Sequence, residues 1–403
     1  MKILRKQKVL ILSEGFGSGH TQAAYALAAG LKELSPNVQT KVLELGSFLN
    51  PTVAPLILSA YRLTVSASPL LVGMFYRIKY EKPVSRLTRL ALHKVFYNHA
   101  AQVINQLKPD LIICTHPIPN AIVSRLKESG MNIPLLTVIT DYDAHGSWVS
   151  SEVDHYLVST DEVRKLLIQR GVNPKSIQVT GIPVHPEFWI KQDKEYVREE
   201  LGLKNLPTAL VMGGGWGLQL FKEELISKFM QWNDKIQFVY CMGSNEKLAS
   251  KMRNQPEFQH PNITVLGFTK EISKWMDAAD LLITKPGGMT CTEGLAKGLP
   301  MLFCESIPGQ EDKNREYFVS HGYGQELASP EILEAWLGKI SNHTASADYN
   351  KTSIQHRQIL PVSKFEALYE PEACAESVMN LLNSSYSTRR LNIKIHPTGQ
   401  RAN

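Results

Sequence analysis

The chain has 403 residues, 43% of them hydrophobic and 20% charged, with a formal net charge of +6. That length exceeds a single ordinary core and predicts two domains, and the composition excludes a disordered chain. No stretch approaches the ~20 apolar residues of a spanning helix. The five cysteines (Cys114, Cys241, Cys291, Cys304, Cys374) are odd in number and lack metal-site spacing. They argue against a zinc site or disulfide framework and for a reducing cytoplasm.

The basic N-terminus followed by Val9–Leu12 resembles a signal peptide, but the apolar run is too short and Glu14 ends it. Residues 8–13 therefore read as a first strand and 21–34 as a helix. Further strands are expected at 42–45, 111–114, 135–139 and 155–159, with helices at 84–107 and 161–170 between them. Continuous apolar runs suit parallel strands buried on both faces, and a βαβα order implies a doubly wound sheet. The pattern breaks at 181–188, where Gly181, Pro183 and Pro186 interrupt it. A charged helix (193–201) leads into a second series of strands at 208–212, 236–241, 263–266, 281–284 and 301–304. A last helix is expected at 371–382 and a disordered basic tail at 384–403. The fold class is thus α/β, with two Rossmann-like domains facing a cleft: 1–187, 188–370, and a closing helix and tail over 371–403. Ligands of such sheets sit beyond the carboxyl ends of the strands.

In the first domain, Gly15, Gly17, Ser18 and Gly19 join the first strand to its helix and allow an anion to approach the helix N-terminus. The spacing is neither a dinucleotide fingerprint nor a P-loop. His20 lies at the helix mouth, where the dipole keeps the ring neutral and able to accept a proton; an ordinary helix-start histidine is the alternative. A later strand runs into Thr140 and Asp141. Asp141 is a candidate to orient His20 or to act as the base itself, unless it merely caps a loop. His145 and Trp148 would line the acceptor entrance, with His116 a weaker candidate. In the second domain, Gly213, Gly214 and Gly215 follow the first strand, where a ligand or another backbone must come close. Gly267 and Phe268 form a turn able to read a base edge. Residues 283–293 then combine a glycine turn (Gly287, Gly288), hydroxyls (Thr290) and a carboxylate one turn in (Glu293). Alone this is a well-capped helix. With Gln310, Glu311 and Asn314 one strand further on, it becomes a sugar-nucleotide site.

These residues carry a resemblance. The C-terminal half is similar to the nucleotide-binding domain of MurG-type and monogalactosyldiacylglycerol-synthase-type glycosyltransferases. The N-terminal half resembles the synthase branch, through Gly19-His20, Thr140-Asp141 with His145 and Trp148, and Gly181-Ile182-Pro183 with Pro186 and Phe188. The 283–288 and 308–311 runs are similar to those of bacterial processive diacylglycerol β-glucosyltransferases. The resemblance spans roughly residues 8–380 and implies a GT-B glycosyltransferase fold. It implies Glu293 on the ribose of UDP, and Gly287, Gly288 and Thr290 beside the diphosphate. Gly213–Gly215 match the glycine loop, and Phe268 the position whose main chain meets uracil. Gln310, Glu311 and Asn314 match the donor-sugar contacts, and His20 and Asp141 the groups that act on the acceptor. The chain departs from the commoner Gly-Gly-Gly-His at Gly17–His20, and its glycine loop carries Trp216.

The implied reaction moves a hexose, glucose or galactose, from its UDP-sugar to 1,2-diacylglycerol with inversion. No metal or other cofactor is expected. Residues 51–100 hold seven basic side chains against the single acid Glu81, an excess equal to that of the whole chain. Apolar and aromatic residues mixed with Arg62, Arg77 and Lys79 over 53–80 suit an interfacial helix pair on anionic membrane lipids; a core helix with a solvated basic face is the alternative. Nucleic acid is not an expected partner. The expected location is the cytoplasm, bound peripherally to the inner face of the cell membrane. A transferase using UDP-N-acetylglucosamine, a UDP-sugar epimerase and a UDP-sugar sensor are the other readings.

Overall fold

The computed structural model describes residues 5–67, 99–215, 217, 223–306, 309–343 and 369–395. The first half alternates as the apolar runs dictate: β1 (Gln7–Ser13), α1 (Ser18–Leu34), β2 (Val38–Glu44), α2 (Leu45–Leu49), α3 (Ala54–Ala67), α4 (Ala100–Leu107), β3 (Leu111–Cys114), α5 (Pro117–Glu128), β4 (Leu135–Val138), β5 (His155–Val158), α6 (Asp161–Gln169) and β6 (Ile177–Val179). All its strand pairs are parallel, in the order β2-β1-β3-β4-β5-β6. Strands β3 and β4 are buried along their whole length, which is why they carry no polar alternation.

The second half follows with α7 (Lys194–Glu200), β7 (Thr208–Met212), α8 (Glu223–Met230), β8 (Gln237–Cys241), α9 (Glu246–Arg253), β9 (Ile263–Leu266), α10 (Ile272–Ala278), β10 (Leu281–Thr284), α11 (Gly288–Ala296), β11 (Met301–Phe303), α12 (Gln310–Ser320), β12 (Gly324–Glu326), α13 (Pro330–His343) and α14 (Ala373–Ile395). Its parallel sheet has the order β12-β11-β10-β7-β8-β9. Strand order reverses between β1 and β3 in one sheet and between β7 and β10 in the other. Each reversal opens a crevice beyond the strand ends. Four loops therefore converge: those after β1, β3, β7 and β10.

Several expectations shift. The strand expected at 42–45 is Val38–Glu44, and Leu45 already opens a helix. The helix expected from residue 21 begins at Ser18, after Gly17 at φ 140°, so His20 lies in its first turn. Strands β6 and β12, three residues each, were not expected. Of the helix expected over 84–107, residues 84–98 lie outside the described residues, as do 68–80 of the proposed interfacial pair and Trp216. The closing helix does not form a separate unit. Cys374, Ala375, Val378 and Leu382 pack with Val9, Ile11, Ala24 and Leu27 in the core of the first domain. It also runs on to Ile395, where a disordered tail was expected, because 384–395 continue its helical hydrogen bonding.

Candidate active site

The helix N-termini of the two domains face each other across the cleft. A Cβ on Gly19, in α1, would lie 3.6 Å from Met289 of α11, and one on Gly215 would lie 2.5 Å from the Ser18 hydroxyl. A Cβ on Gly288 would meet the Thr140 carbonyl oxygen at 2.4 Å and an Asp141 carboxylate oxygen at 3.3 Å. Glycine at 288 is thus what lets the two domains touch at the end of β4. Gly214, at φ 72°, leaves room for Lys285, whose Cε would lie 2.8 Å from a Cβ there. The glycine loop after β7 is small because Ser18 and Lys285 occupy the space beside it.

On the first-domain side, His20 Nδ1 shares a hydrogen bond with the Thr140 hydroxyl at 2.6 Å, and the Thr115 hydroxyl donates to the His20 carbonyl at 2.9 Å. The ring meets His116 edge-on at 4.7 Å and Trp148 at 6.0 Å. Burial pushes His20 down to about 4, helped by His145 nearby and opposed by Thr115. Burial, reinforced by His20 and His145, likewise holds His116 well below the usual imidazole range. Burial, then Arg170, brings His145 to about 4. All three rings are therefore neutral at physiological pH. His116 Nδ1 accepts the Ile118 N–H at 3.2 Å and so caps α5.

Asp141 does not orient His20; Thr140 holds that position. The Asp141 carboxylate turns to the second domain, where it accepts hydrogen bonds from Gln310 Nε2 and, at 3.3 Å, from Asn314 Nδ2. Asn314 also donates to the Pro286 carbonyl at 3.1 Å and accepts the Tyr142 N–H at 2.9 Å. The Tyr142 hydroxyl meets the Thr292 hydroxyl at 2.8 Å. Asp141 is only 5% exposed. Burial pushes its pKa up to about 7 against the Asn314 and Gln310 hydrogen bonds, with Asp143 and Glu311 adding to the rise.

Glu293 follows one turn into α11, half-buried, and desolvation with the neighbouring Glu187 raises it to about 8. Thr290 is half-buried in the first turn, and Gly287 is the N-cap. Phe268, just beyond the end of β9, is 69% exposed. Glu311, at the start of α12, pairs with Lys285 at the end of β10. Among the described residues, no group of three or more His, Cys, Asp or Glu side chains could hold a metal ion.

Comparison with known proteins gives this site its family. Residues 20–184 match the monogalactosyldiacylglycerol (MGDG) synthase family and residues 208–362 the glycosyltransferase family 28 C-terminal domain. The processive diacylglycerol β-glucosyltransferase of Staphylococcus haemolyticus is 31% identical over 350 residues, 85% of this chain and 86% of that one. The chain belongs to the processive diacylglycerol β-glucosyltransferase family. It is a glycosyltransferase. MurG from Acinetobacter baumannii superimposes with a TM-score of 0.56 at 17% identity, over 94% of this chain and 99% of that one. HepE from Anabaena, solved with UDP-glucose, gives 0.54 at 14% identity, over 94% and 99%. Both share the two-sheet GT-B architecture.

For a member of this family, the structure brings Asp141, Gln310, Asn314, Gly288 and the Thr140–His20 pair into one place. Gly213–Gly215, Lys285 and Glu311 form a neighbouring cluster. Phe268 stands apart at the end of β9. Lys285, Thr140 as partner of His20, and Tyr142 were not singled out from the sequence. Lys285 had a visible signal, a cation directly before a glycine turn.

Proposed function

We propose that the protein moves glucose from UDP-glucose to the 3-hydroxyl of 1,2-diacylglycerol at a membrane surface, inverting the anomeric centre. One observation carries this reading. A buried first-domain carboxylate, Asp141, lies within hydrogen-bonding distance of Gln310 and Asn314, the residues to which the donor hexose is assigned. The names of the relatives, and a UDP-glucose complex in the same fold, support the donor and acceptor.

In this mechanism the α11 N-terminus, with Gly287, Gly288 and Thr290, takes the diphosphate on backbone N–H groups. Gly213–Gly215 close over it, the Phe268 main chain takes uracil, and Glu293 takes the ribose hydroxyls. Lys285 turns from Glu311 to the β-phosphate, and Glu311 turns to a sugar hydroxyl. Asp141 removes the acceptor O–H proton, because a carboxylate titrating near 7 suits general-base work at neutral pH better than an imidazole titrating near 4. Neutral His20, fixed by Thr140, orients the acceptor hydroxyl. The acceptor oxygen bonds to C1 as the C1–O bond to the β-phosphate breaks, and UDP leaves with the electron pair. Attack opposite the leaving group gives a β-glycoside.

The acceptor would arrive from a bilayer. Helix α3 presents Leu56 and Leu63, each 70% exposed, with Val53 before it at 44%. No described helix is long and apolar enough to cross a membrane. A helix lying in the interface, with anionic lipids beneath the basic 51–100 segment, meets both observations. UDP-galactose is the second reading, since the same polar residues can hold either C4 epimer. Incubating the purified protein with diacylglycerol and labelled UDP-glucose or UDP-galactose, then separating the lipids, tests both. Glucolipid from the first donor alone is expected, and no labelled lipid from either would end the proposal.

A further inference from the structure

The crossing between the domains contains a wholly buried cation. Lys297, the residue that closes α11, and Asp277 of α10 both have side chains at 0% exposure, with Nζ and Oδ2 2.7 Å apart. The other ammonium protons go to the crossing segment itself: to the Ile190 carbonyl at 2.7 Å and the Glu187 carbonyl at 3.2 Å. The Phe188 ring lies 5.6 Å beneath the ammonium. Ser273, also of α10, donates to the same Glu187 carbonyl at 2.7 Å. The segment is thus tied to the second domain by side chains that reach its backbone, so no choice of residue at 187 or 190 can substitute for them.

Its opposite side is tied to the first domain. The Trp189 ring fills the space beside Gly30 of α1, where a Cβ would meet it at 2.9 Å and Ala375 of α14 at 3.1 Å. Just upstream, the Tyr369 hydroxyl donates to the Ile182 carbonyl at 2.6 Å, and the ring lies against Gly181 at φ 74°. Lys297 therefore has two roles in one residue. Its backbone N–H caps α11 on the Glu293 carbonyl at 3.1 Å, and its side chain holds the pivot.

We propose that Lys297 is a positioning residue that fixes the pivot between the domains to the helix carrying Glu293, and so sets the angle at which Asp141 meets Gln310 and Asn314. Replacing a buried ion pair by apolar residues of similar volume is often tolerated, whereas removing one partner strands a charge. The two roles, folding and positioning, can therefore be separated. This inference rests on the donor and acceptor halves assigned above, but its test does not need transfer to succeed.

The variants are Lys297→Met and Lys297→Met combined with Asp277→Leu. The single variant is expected to lower the melting temperature and the double variant to recover most of it. The double variant should still lose about 10- to 100-fold in kcat, bind UDP within about threefold of the unsubstituted protein by calorimetry, and show a larger radius of gyration by small-angle scattering. A double variant with unchanged kcat and radius would overturn the inference, as would UDP affinity falling in step with kcat. If the double variant does not fold, Ser273→Ala, which loosens the same Glu187 carbonyl without a charge, must lower kcat more than it weakens UDP binding, or the inference fails. If the unsubstituted protein transfers no sugar, the proposed function falls, while the scattering and UDP measurements still decide the role of Lys297.

Discussion

Replacing Asp141 by asparagine separates catalysis from stability. Burial places this carboxyl near 7, against 3.8 for the free side chain. Because the folded-state pKa is raised, the folded protein binds the proton more tightly than the unfolded chain. The favourable contribution is full below about 3.8 and is lost as pH rises through about 7. Keeping the carboxylate ionised at pH 8 then costs on the order of 4 kcal/mol at most. Asparagine removes that cost but turns one N–H toward the Gln310 or Asn314 amide, a mismatch of about 1–3 kcal/mol. Asp141→Asn should therefore melt no lower than the unsubstituted protein at pH 8, an advantage that shrinks as the pH falls toward 5. Its kcat should fall roughly 10²- to 10⁴-fold, the usual contribution of a positioned base. In the unsubstituted protein at saturating UDP-sugar, log kcat should rise with pH through an ionisation near 7 and then level off. The assay is initial-rate glycolipid formation from pH 5 to 9, paired with thermal denaturation over the same range. A base of pKa about 4, as His20 would be, gives a flat profile over that range. A flat profile, or Asp141→Asn within tenfold of the unsubstituted rate, would refute the assignment.

Three further outcomes follow from other contacts. At pH 9, above the raised pKa of about 8 at which Glu293 ionises, Glu293→Gln should weaken UDP binding about 10- to 100-fold, the value of a charge-assisted hydrogen bond, with a smaller change in kcat, as calorimetry and saturation kinetics would show. Gly288→Ala places a methyl 2.4 Å from the Thr140 carbonyl of the other domain. The fold should survive because the clash lies between domains, but transfer should drop at least tenfold, measured beside circular dichroism. Leu56→Asp with Leu63→Asp should cut sedimentation with anionic vesicles on the order of 10²-fold, while activity on a short-chain, detergent-dispersed acceptor stays within about threefold.

The parallel strands were legible because both their faces are buried, which leaves continuous apolar runs such as Leu111–Cys114 and Leu281–Thr284. Strands β6 and β12 were not, because three-residue edge strands such as Gly324–Glu326 carry no run long enough to stand out. The seat of α14 was hidden for another reason: its apolar face says that it packs, not on which domain. The site divides in the same way. Gly287, Gly288 and Glu293 announce themselves through turn and helix-start chemistry within one short stretch. The turn of Asp141 toward Gln310, 169 residues away, depends on how two domains meet, and no local pattern encodes that. In the sequence nothing marks Lys297 from any cation at a helix end; its burial and three oxygen partners are visible only in the fold.

The central claim is that a first-domain base attacks across the cleft on a UDP-hexose held by the second domain. The most direct measurement is the structure of the product that the purified protein makes from UDP-α-glucose and 1,2-diacylglycerol in vesicles, read by proton NMR at the anomeric carbon. The expected product is a β-glucosyl diacylglycerol linked at the glycerol 3-hydroxyl, with a large trans-diaxial H1–H2 coupling. An α-linked lipid, free glucose as the main product, or no lipid-bound sugar would contradict the account.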